Sequence, residues 1–214
     1  MSDLFAADIA GTRTELAAQA CVLHGFALAF EGALLASIET ITGNAPFRHL
    51  VTPGGYVMQV AMTNCGRLGW VSDRRGYRYA GQDPQTGLPW PALPPVFLEL
   101  AAQAAQTAGF DGYVPDACLI NRYAPGTRLS LHQDRDEDDR VAPIVSVSLG
   151  LPATFLFGGF ARGDNTVRVP LAHGDVVVWG GADRMRFHGV LPIQPGRHAV
   201  LGEQRINLTF RKVR

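Results

Sequence analysis

Hydrophobic and polar positions change period once along the chain, near residue 115. Before it, two stretches repeat at helical spacing. Leu34, Leu35, Ile38 and Ile41 do so within 30–42, and Phe97, Leu98, Ala101, Ala104, Ala105 and Ala108 within 95–109. Pro94-Pro95 can open the second helix and Gly109 can end it. Between them, 46–92 is rich in Gly, Pro, Asn and aromatics, with short β-like runs such as Tyr56–Met62. It reads as loops and hairpins rather than core. After residue 115 come short strand patterns at 117–123, 129–133, 144–149, 153–157, 166–171, 175–179 and 205–211, each bounded by Gly, Pro or Asp turns. Strands at this spacing predict an antiparallel sandwich or barrel, jelly rolls included. The expectation is one domain over 1–214, mainly β with α: an N-terminal extension and helix (1–45), a loop-rich layer (46–92), then a helix and a β core (93–214).

Composition sharpens this picture only locally. A chain of 214 residues can bury a core without disulfides or a structural metal. Nineteen basic and nineteen acidic residues cancel, so no global field would draw a polyanion, and a nucleic-acid partner would need local patches. Residues 67–80 hold one, with Arg67, Arg74, Arg75 and Arg78 against Asp73 alone. Cys21, Cys65 and Cys118 are odd in number and far apart, which excludes a zinc knuckle or a disulfide framework and suggests buried thiols in a reducing compartment. No basic n-region marks a signal peptide, and no apolar run reaches about 18 residues. The expectation is a cytoplasmic protein without a membrane span.

Two His-x-Asp pairs could carry chemistry: His132-Gln133-Asp134 and His173-Gly174-Asp175. On a strand, side chains two apart share a face, so either pair could supply two ligands of a two-His-one-carboxylate iron site. Gly174-Asp175 before the apolar run Val176–Trp179 is also ordinary hairpin chemistry. His132 opens an acidic loop (Asp134, Asp136, Glu137, Asp138, Asp139) that could equally be a solvated surface. His188, after an apolar strand, is the best third ligand, or else a strand-end histidine; His198 beside Pro195-Gly196 reads as a surface turn. In 205–211 the alternation is complete: Arg205, Asn207, Thr209 and Arg211 face one way, Ile206, Leu208 and Phe210 the other. The arginines stand roughly 20 Å apart at about 3.3 Å per residue, so they could approach a short dianion only from its two ends. Otherwise they decorate a solvent-facing strand. Asn121 and Tyr123 share one face around Arg122, a polar pair or a core tyrosine. Trp70, Tyr77 and Tyr79 interleave with Arg74, Arg75 and Arg78, a pattern that stacks bases and meets phosphates, or packs aromatics beneath a loop.

Together these segments resemble the AlkB family of Fe(II)- and 2-oxoglutarate-dependent dioxygenases, its bacterial alkylated-DNA repair branch above all. The likeness is carried by Val51-Thr52-Pro53-Gly54-Gly55-Tyr56, Ala61-Met62-Thr63-Asn64-Cys65-Gly66, the run Pro115–Gly126, Leu129-Ser130-Leu131-His132-Gln133-Asp134 and Arg205-Ile206-Asn207-Leu208-Thr209-Phe210-Arg211. It implies a double-stranded β-helix (jelly-roll) core, with 46–92 as a nucleotide-recognition lid. It implies His132, Asp134 and His188 as the iron ligands and hence the catalytic centre, leaving His173-Gly174-Asp175 as a turn. 2-Oxoglutarate would pair its far carboxylate with Arg205, with Asn121, Arg122, Tyr123 and Asn207 completing the site and Arg211 at the metal end. Trp70 would lie over a flipped-out base with the His132 ring on its other side. Tyr77, Arg78 and Tyr79 would meet the nucleotide backbone, Asp136 the base edge, and Arg162 the substrate further out.

The activity implied is oxidative demethylation of bases of the 1-methyladenine and 3-methylcytosine type, in single- or double-stranded DNA and in RNA. O2 and 2-oxoglutarate are consumed and formaldehyde is released, by a monomer. Such bases are cationic, which suits Trp70 and Asp136, and have lost their pairing, which eases extrusion. An oxygenase acting on a protein or small molecule, and a non-catalytic jelly-roll binding module, are the competing readings.

Overall fold

The computed structural model describes residues 10–214. Fourteen strands and two α-helices are defined there: β1 Arg13–Ala17, β2 Ala20–Leu23, α1 Glu31–Asn44, β3 Arg48–Val51, β4 Val57–Gly66, β5 Gly69–Asp73, β6 Gly76–Ala80, α2 Pro95–Thr107, β7 Ala117–Tyr123, β8 Leu129–His132, β9 Ile144–Gly150, β10 Ala153–Phe157, β11 Val167–Leu171, β12 Val176–Trp179, β13 His188–Val190 and β14 Arg205–Arg211. An eight-stranded sheet runs β1-β2-β12-β9-β14-β7-β4-β3, a four-stranded one β11-β10-β13-β8, and β5-β6 form a separate hairpin. The fold is the expected mainly β jelly roll.

Period two along β14 explains the layering. Ile206, Leu208 and Phe210 join Cys118 and Ile120 of β7, Val145, Val147 and Leu149 of β9, and the apolar faces of α1 (Leu34, Ile38, Ile41) and α2 (Phe97, Leu100, Ala101, Ala104). The opposite face of the large sheet turns toward the small one, where Val60, Met62, Leu119, Tyr123, Ile144 and Val177 meet Phe155, Phe157, Val169 and Val190. Helices therefore back the large sheet, and the space between the sheets holds the site. Phe97 is fully buried, edge-on to Phe210 with centroids 5.5 Å apart. Phe97→Ala should lower unfolding free energy by about 3–5 kcal/mol, measured by urea denaturation, by removing its burial and leaving a cavity behind β14.

Two expectations need correction. Segment 46–92 is not only loops and hairpins: β3 and the ten-residue β4 belong to the large sheet, and β4 is buried along Val60–Gly66. Only the β5–β6 hairpin and its flanking turns stand apart. Residues 1–45 are more than extension and helix, because β1 and β2 close one edge of the large sheet. Of the two readings of 205–211, the solvent-facing one falls away, since all seven residues are buried. Phe26–Asn44, a 3-10 turn running into α1, has the length and mean hydropathy (1.3) of a membrane span. It carries Glu31 and Glu39, however, and Leu34, Ile38 and Ile41 pack in the core.

Candidate active site

β8 and β13 are antiparallel neighbours with His132 directly opposite His188, so strand register alone brings two imidazoles together. Their centroids are 4.4 Å apart. Asp134, two residues beyond His132, completes the group: Oδ1 lies 3.5 Å from His132 Nε2, and Oδ2 lies 3.8 Å from His188 Nε2. One donor atom from each of the three falls within 4.8 Å of the others. Both histidines direct Nδ1 to a backbone carbonyl, His132 to Ser130 (2.9 Å) and His188 to Arg186 (3.1 Å), which fixes the tautomer and turns Nε2 toward the shared space.

Electrostatics suit a cation there. Burial, reinforced by the neighbouring His132, pushes His188 down to about 3, so its ring is neutral and a competent ligand at neutral pH. Burial opposes charge on Asp134, but Arg211 and the two histidines outweigh it and hold the carboxyl well below the usual range. Arg211 makes two hydrogen bonds to Asp134 Oδ2, at 2.6 and 2.9 Å.

These residues line one cavity of about 650 Å³ between the sheets, together with Trp70, Tyr77, Asn121, Tyr123, Asp136, Arg162, Arg205 and Asn207. Arg205 is 1% exposed; its Nη2 donates to Ser148 Oγ (2.9 Å) and its Cζ lies 4.9 Å over the Tyr123 ring. Its Nε and Nη1, and the Asn121 Oδ1, are buried without a hydrogen-bond partner among the described residues. Burial lowers Arg205 and raises Tyr123, the signature of polar groups held out of water. At the mouth, Trp70 and Tyr77 stack with centroids 5.5 Å apart, and the Trp70 Nε1–H donates to Asp136 Oδ2 at 2.9 Å.

Residues 19–211 match the family model for the 2OG-Fe(II) oxygenase superfamily. The alpha-ketoglutarate-dependent dioxygenase AlkB of Salmonella typhimurium is 57% identical over 212 residues, 99% of this chain and 98% of that one. The chain belongs to the AlkB family. The AlkB protein of Escherichia coli is 55% identical over the same span. Among solved structures, that of OsALKBH1 superposes with a TM-score of 0.82 at 27% identity, covering 94% of this chain and 99% of the other. As an AlkB-family oxygenase the chain is an enzyme, a dioxygenase that uses Fe(II), 2-oxoglutarate and O2.

The site fits those groups chemically. Two imidazoles and one carboxylate suit iron and leave positions for a co-substrate. The buried Nε–H and Nη1–H groups of Arg205, without a partner among the described residues, are charged donors of the kind a carboxylate satisfies. Arg211, engaged with Asp134, stands at the metal end, as its spacing from Arg205 on the strand requires.

One expected co-substrate residue lies elsewhere, and two expected nucleotide-backbone residues stand outside the cavity. Arg122 stands between Asn121 and Tyr123, and period two turns it to the opposite face of the sheet, over the Phe47 ring at 4.6 Å. It is not in the co-substrate cavity. Arg78 points away from the Trp70–Tyr77 face of its hairpin and is held by Asp73 at 2.7 Å. Tyr79 shares the Trp70 face but packs against Leu68, Ala117 and Val213, and its hydroxyl donates to Glu137 Oε1 at 2.6 Å. Neither lines the cavity with Tyr77. Asn207 does, yet its amide is engaged: Nδ2 donates to Ser146 and Val147, and Oδ1 accepts from Thr209 and Asn121. It therefore orients Asn121. His173-Gly174-Asp175 is a turn: Gly174 has φ +90°, and Asp175 accepts from the amides of Gly25 and Ala172.

Sequence reasoning missed Glu137 and Arg184, 3% and 1% exposed behind the metal ligands, and Trp179, edge-on to His188 at 4.9 Å. Trp179 ends an apolar run that reads as core. Glu137 is masked by the acids beside it.

Proposed function

We propose that this enzyme oxidatively removes alkyl groups from the pairing edge of bases of the 1-methyladenine and 3-methylcytosine type in DNA and RNA. It acts as a cytoplasmic monomer on single- and double-stranded nucleic acid. The observation that carries the reading is the Trp70–Tyr77 stack tied to Asp136 at the mouth of the cavity whose floor is His132, Asp134 and His188. An exposed aromatic face beside a carboxylate favours a flat cation over a neutral base. The names of relatives agree: "tRNA demethylase abh1" of Schizosaccharomyces pombe is 30% identical over 163 residues, 69% of this chain and 53% of that one.

His132, Asp134 and His188 would hold the iron, and Arg205, Asn121 and Tyr123 would receive 2-oxoglutarate, Arg205 through its far carboxylate. When bound, iron and 2-oxoglutarate supply the oxidising power that turns O2 on an unactivated N-methyl group. The chain's own work is placement. Arg211 holds Asp134 by one oxygen. Trp70 and Tyr77 receive the extruded base, whose methyl group is thereby directed at the floor, and Asp136 accepts from its exocyclic amine. Arg162, fixed by donating to the Leu131 carbonyl and lying 5.1 Å over the Phe187 ring, guards the rim, where a phosphate or sugar edge would pass. Phe155 and Trp179 close the wall beside His188 and keep water from it.

The test is aerobic incubation of the Fe(II)-loaded enzyme with 2-oxoglutarate and a single-stranded oligonucleotide carrying one 3-methylcytosine. The oligonucleotide should lose the mass of one methylene, with stoichiometric formaldehyde and succinate. Succinate without any change in the oligonucleotide would transfer the activity to a protein or small-molecule substrate. Trp70→Ala should raise KM for the oligonucleotide about 5- to 100-fold, the worth of one lost base–aromatic stack. Succinate formation without oligonucleotide should stay unchanged.

A further inference from the structure

Behind the metal ligands lies a second carboxylate for which the proposed chemistry has no use. Glu137 is 3% exposed, and both its oxygens are occupied. Oε1 accepts from the Tyr79 hydroxyl at 2.6 Å and lies 3.3 Å from Arg211 Nε; Oε2 accepts from Arg184 Nη2 at 3.1 Å. Each of these arginines also touches Asp134. Arg211 bonds its Oδ2, and Arg184, itself 1% exposed, donates Nη1 to its backbone carbonyl at 2.7 Å and Nε to the carbonyl of Ala142. Two buried guanidiniums and two buried carboxylates thus form a cluster of zero net charge. Asp134 is its member toward the cavity, and Tyr79 of β6 is its link to the hairpin that carries Trp70 and Tyr77.

We infer that Glu137 is a positioning residue that sets Asp134 for the metal and fastens the recognition hairpin to it, so that metal binding and hairpin order depend on one another. The inference rests on His132, Asp134 and His188 as the metal ligands. Its physical content is twofold. Removing the charge of Glu137 leaves one uncompensated guanidinium beside a site for a dication, and it frees Arg211 to pair with Asp134 alone, competing with the metal for that carboxylate. Removing the Tyr79 hydroxyl leaves the charges intact and cuts only the link to the hairpin. Coupling of this kind is reciprocal: whatever metal does for the hairpin, the hairpin does for metal affinity.

The experiment is titration with Co(II) under nitrogen, followed by its ligand-field absorption, and hydrogen exchange of amides 69–80 with and without Co(II). It compares the unaltered protein with Glu137→Gln, Tyr79→Phe and Arg48→Gln. Arg48→Gln breaks a half-buried ion pair of the same region (Arg48–Asp83, 2.7 Å) that does not touch Asp134, and controls for general loosening. Glu137→Gln should weaken Co(II) binding about 10- to 100-fold, the usual effect of losing an outer-shell partner. Tyr79→Phe should weaken it less and abolish the protection that Co(II) confers on the hairpin amides; Arg48→Gln should leave Co(II) affinity unchanged. Co(II) affinity in Glu137→Gln and Tyr79→Phe equal to that of the unaltered protein would overturn the inference while leaving the ligands standing. Failure of the unaltered protein to bind Co(II) would overturn the ligand assignment and the inference together. If Glu137→Gln does not fold, Tyr79→Phe against Arg48→Gln decides.

Discussion

Arg205→Met should do two opposite things: cripple use of 2-oxoglutarate and stabilise the protein without it. Arg205 carries a buried guanidinium whose Nε and Nη1 have no hydrogen-bond partner among the described residues, with Ser148 and the Tyr123 ring beside it. Burial already lowers its pKa, so the fold bears a cost for keeping the charge there. A methionine of similar length removes that cost and keeps the packing. The co-substrate-free variant should therefore melt a few degrees higher, since about 1 kcal/mol corresponds to roughly 2–4 °C for a chain of this size. With 2-oxoglutarate the sign reverses. Losing one partner of a buried, hydrogen-bonded charge pair costs about 2–5 kcal/mol, so KM for 2-oxoglutarate should rise about 30-fold or more. Scanning calorimetry without co-substrate and succinate formation with it check the two halves. A variant that melts lower and keeps its KM would place the co-substrate elsewhere.

How much of this was legible beforehand depends on the range over which the physics acts. The face of β14 carrying Arg205, Asn207, Thr209 and Arg211 follows from period two, and so does the His132–Asp134 pair. The same rule excludes Arg122, because Asn121 and Tyr123 cannot share a face with the residue between them; the resemblance to the family put it in the site and the pleat takes it out. Arg78 likewise takes the face opposite Tyr77. β4 was legible only as far as Met62, because its buried polar residues beyond that point imitate a loop: Thr63 donates to the Ala45 carbonyl, and the Asn64 side chain bonds both the amide and the carbonyl of Trp70. These partners belong to other elements, so nothing local marks the residues as satisfied and buried. Glu137 is the extreme case. Asp136 and Asp138 beside it are exposed, and the whole loop reads as solvated. What makes Glu137 different is Arg184 and Arg211, which only the folded sheet brings near.

His188→Asn carries the other large effect, and it separates catalysis from stability by pH. With one of three ligands gone, turnover should fall roughly 10³-fold or more, the several kcal/mol that a bound metal contributes. The metal-free protein should respond differently. In the unfolded chain His188 takes up a proton near its ordinary value of 6.5; in the fold it does so only at about 3. Between these values the unfolded state binds the extra proton, so stability is fully present above 6.5 and is lost as pH falls toward 3. Asp134 also has a lowered folded pKa, and its share is lost at lower pH still, below the usual carboxylate range. Asparagine at 188 removes the first contribution and leaves Arg211, the strongest hold on Asp134, in place. Melting temperatures of the metal-free proteins at pH 7 and pH 4.5 should therefore lie closer together in His188→Asn than in the unaltered chain. An equal drop in both would mean that the His188 ring is already protonated in the fold, and a cationic imidazole has no lone pair on Nε2 to offer a metal.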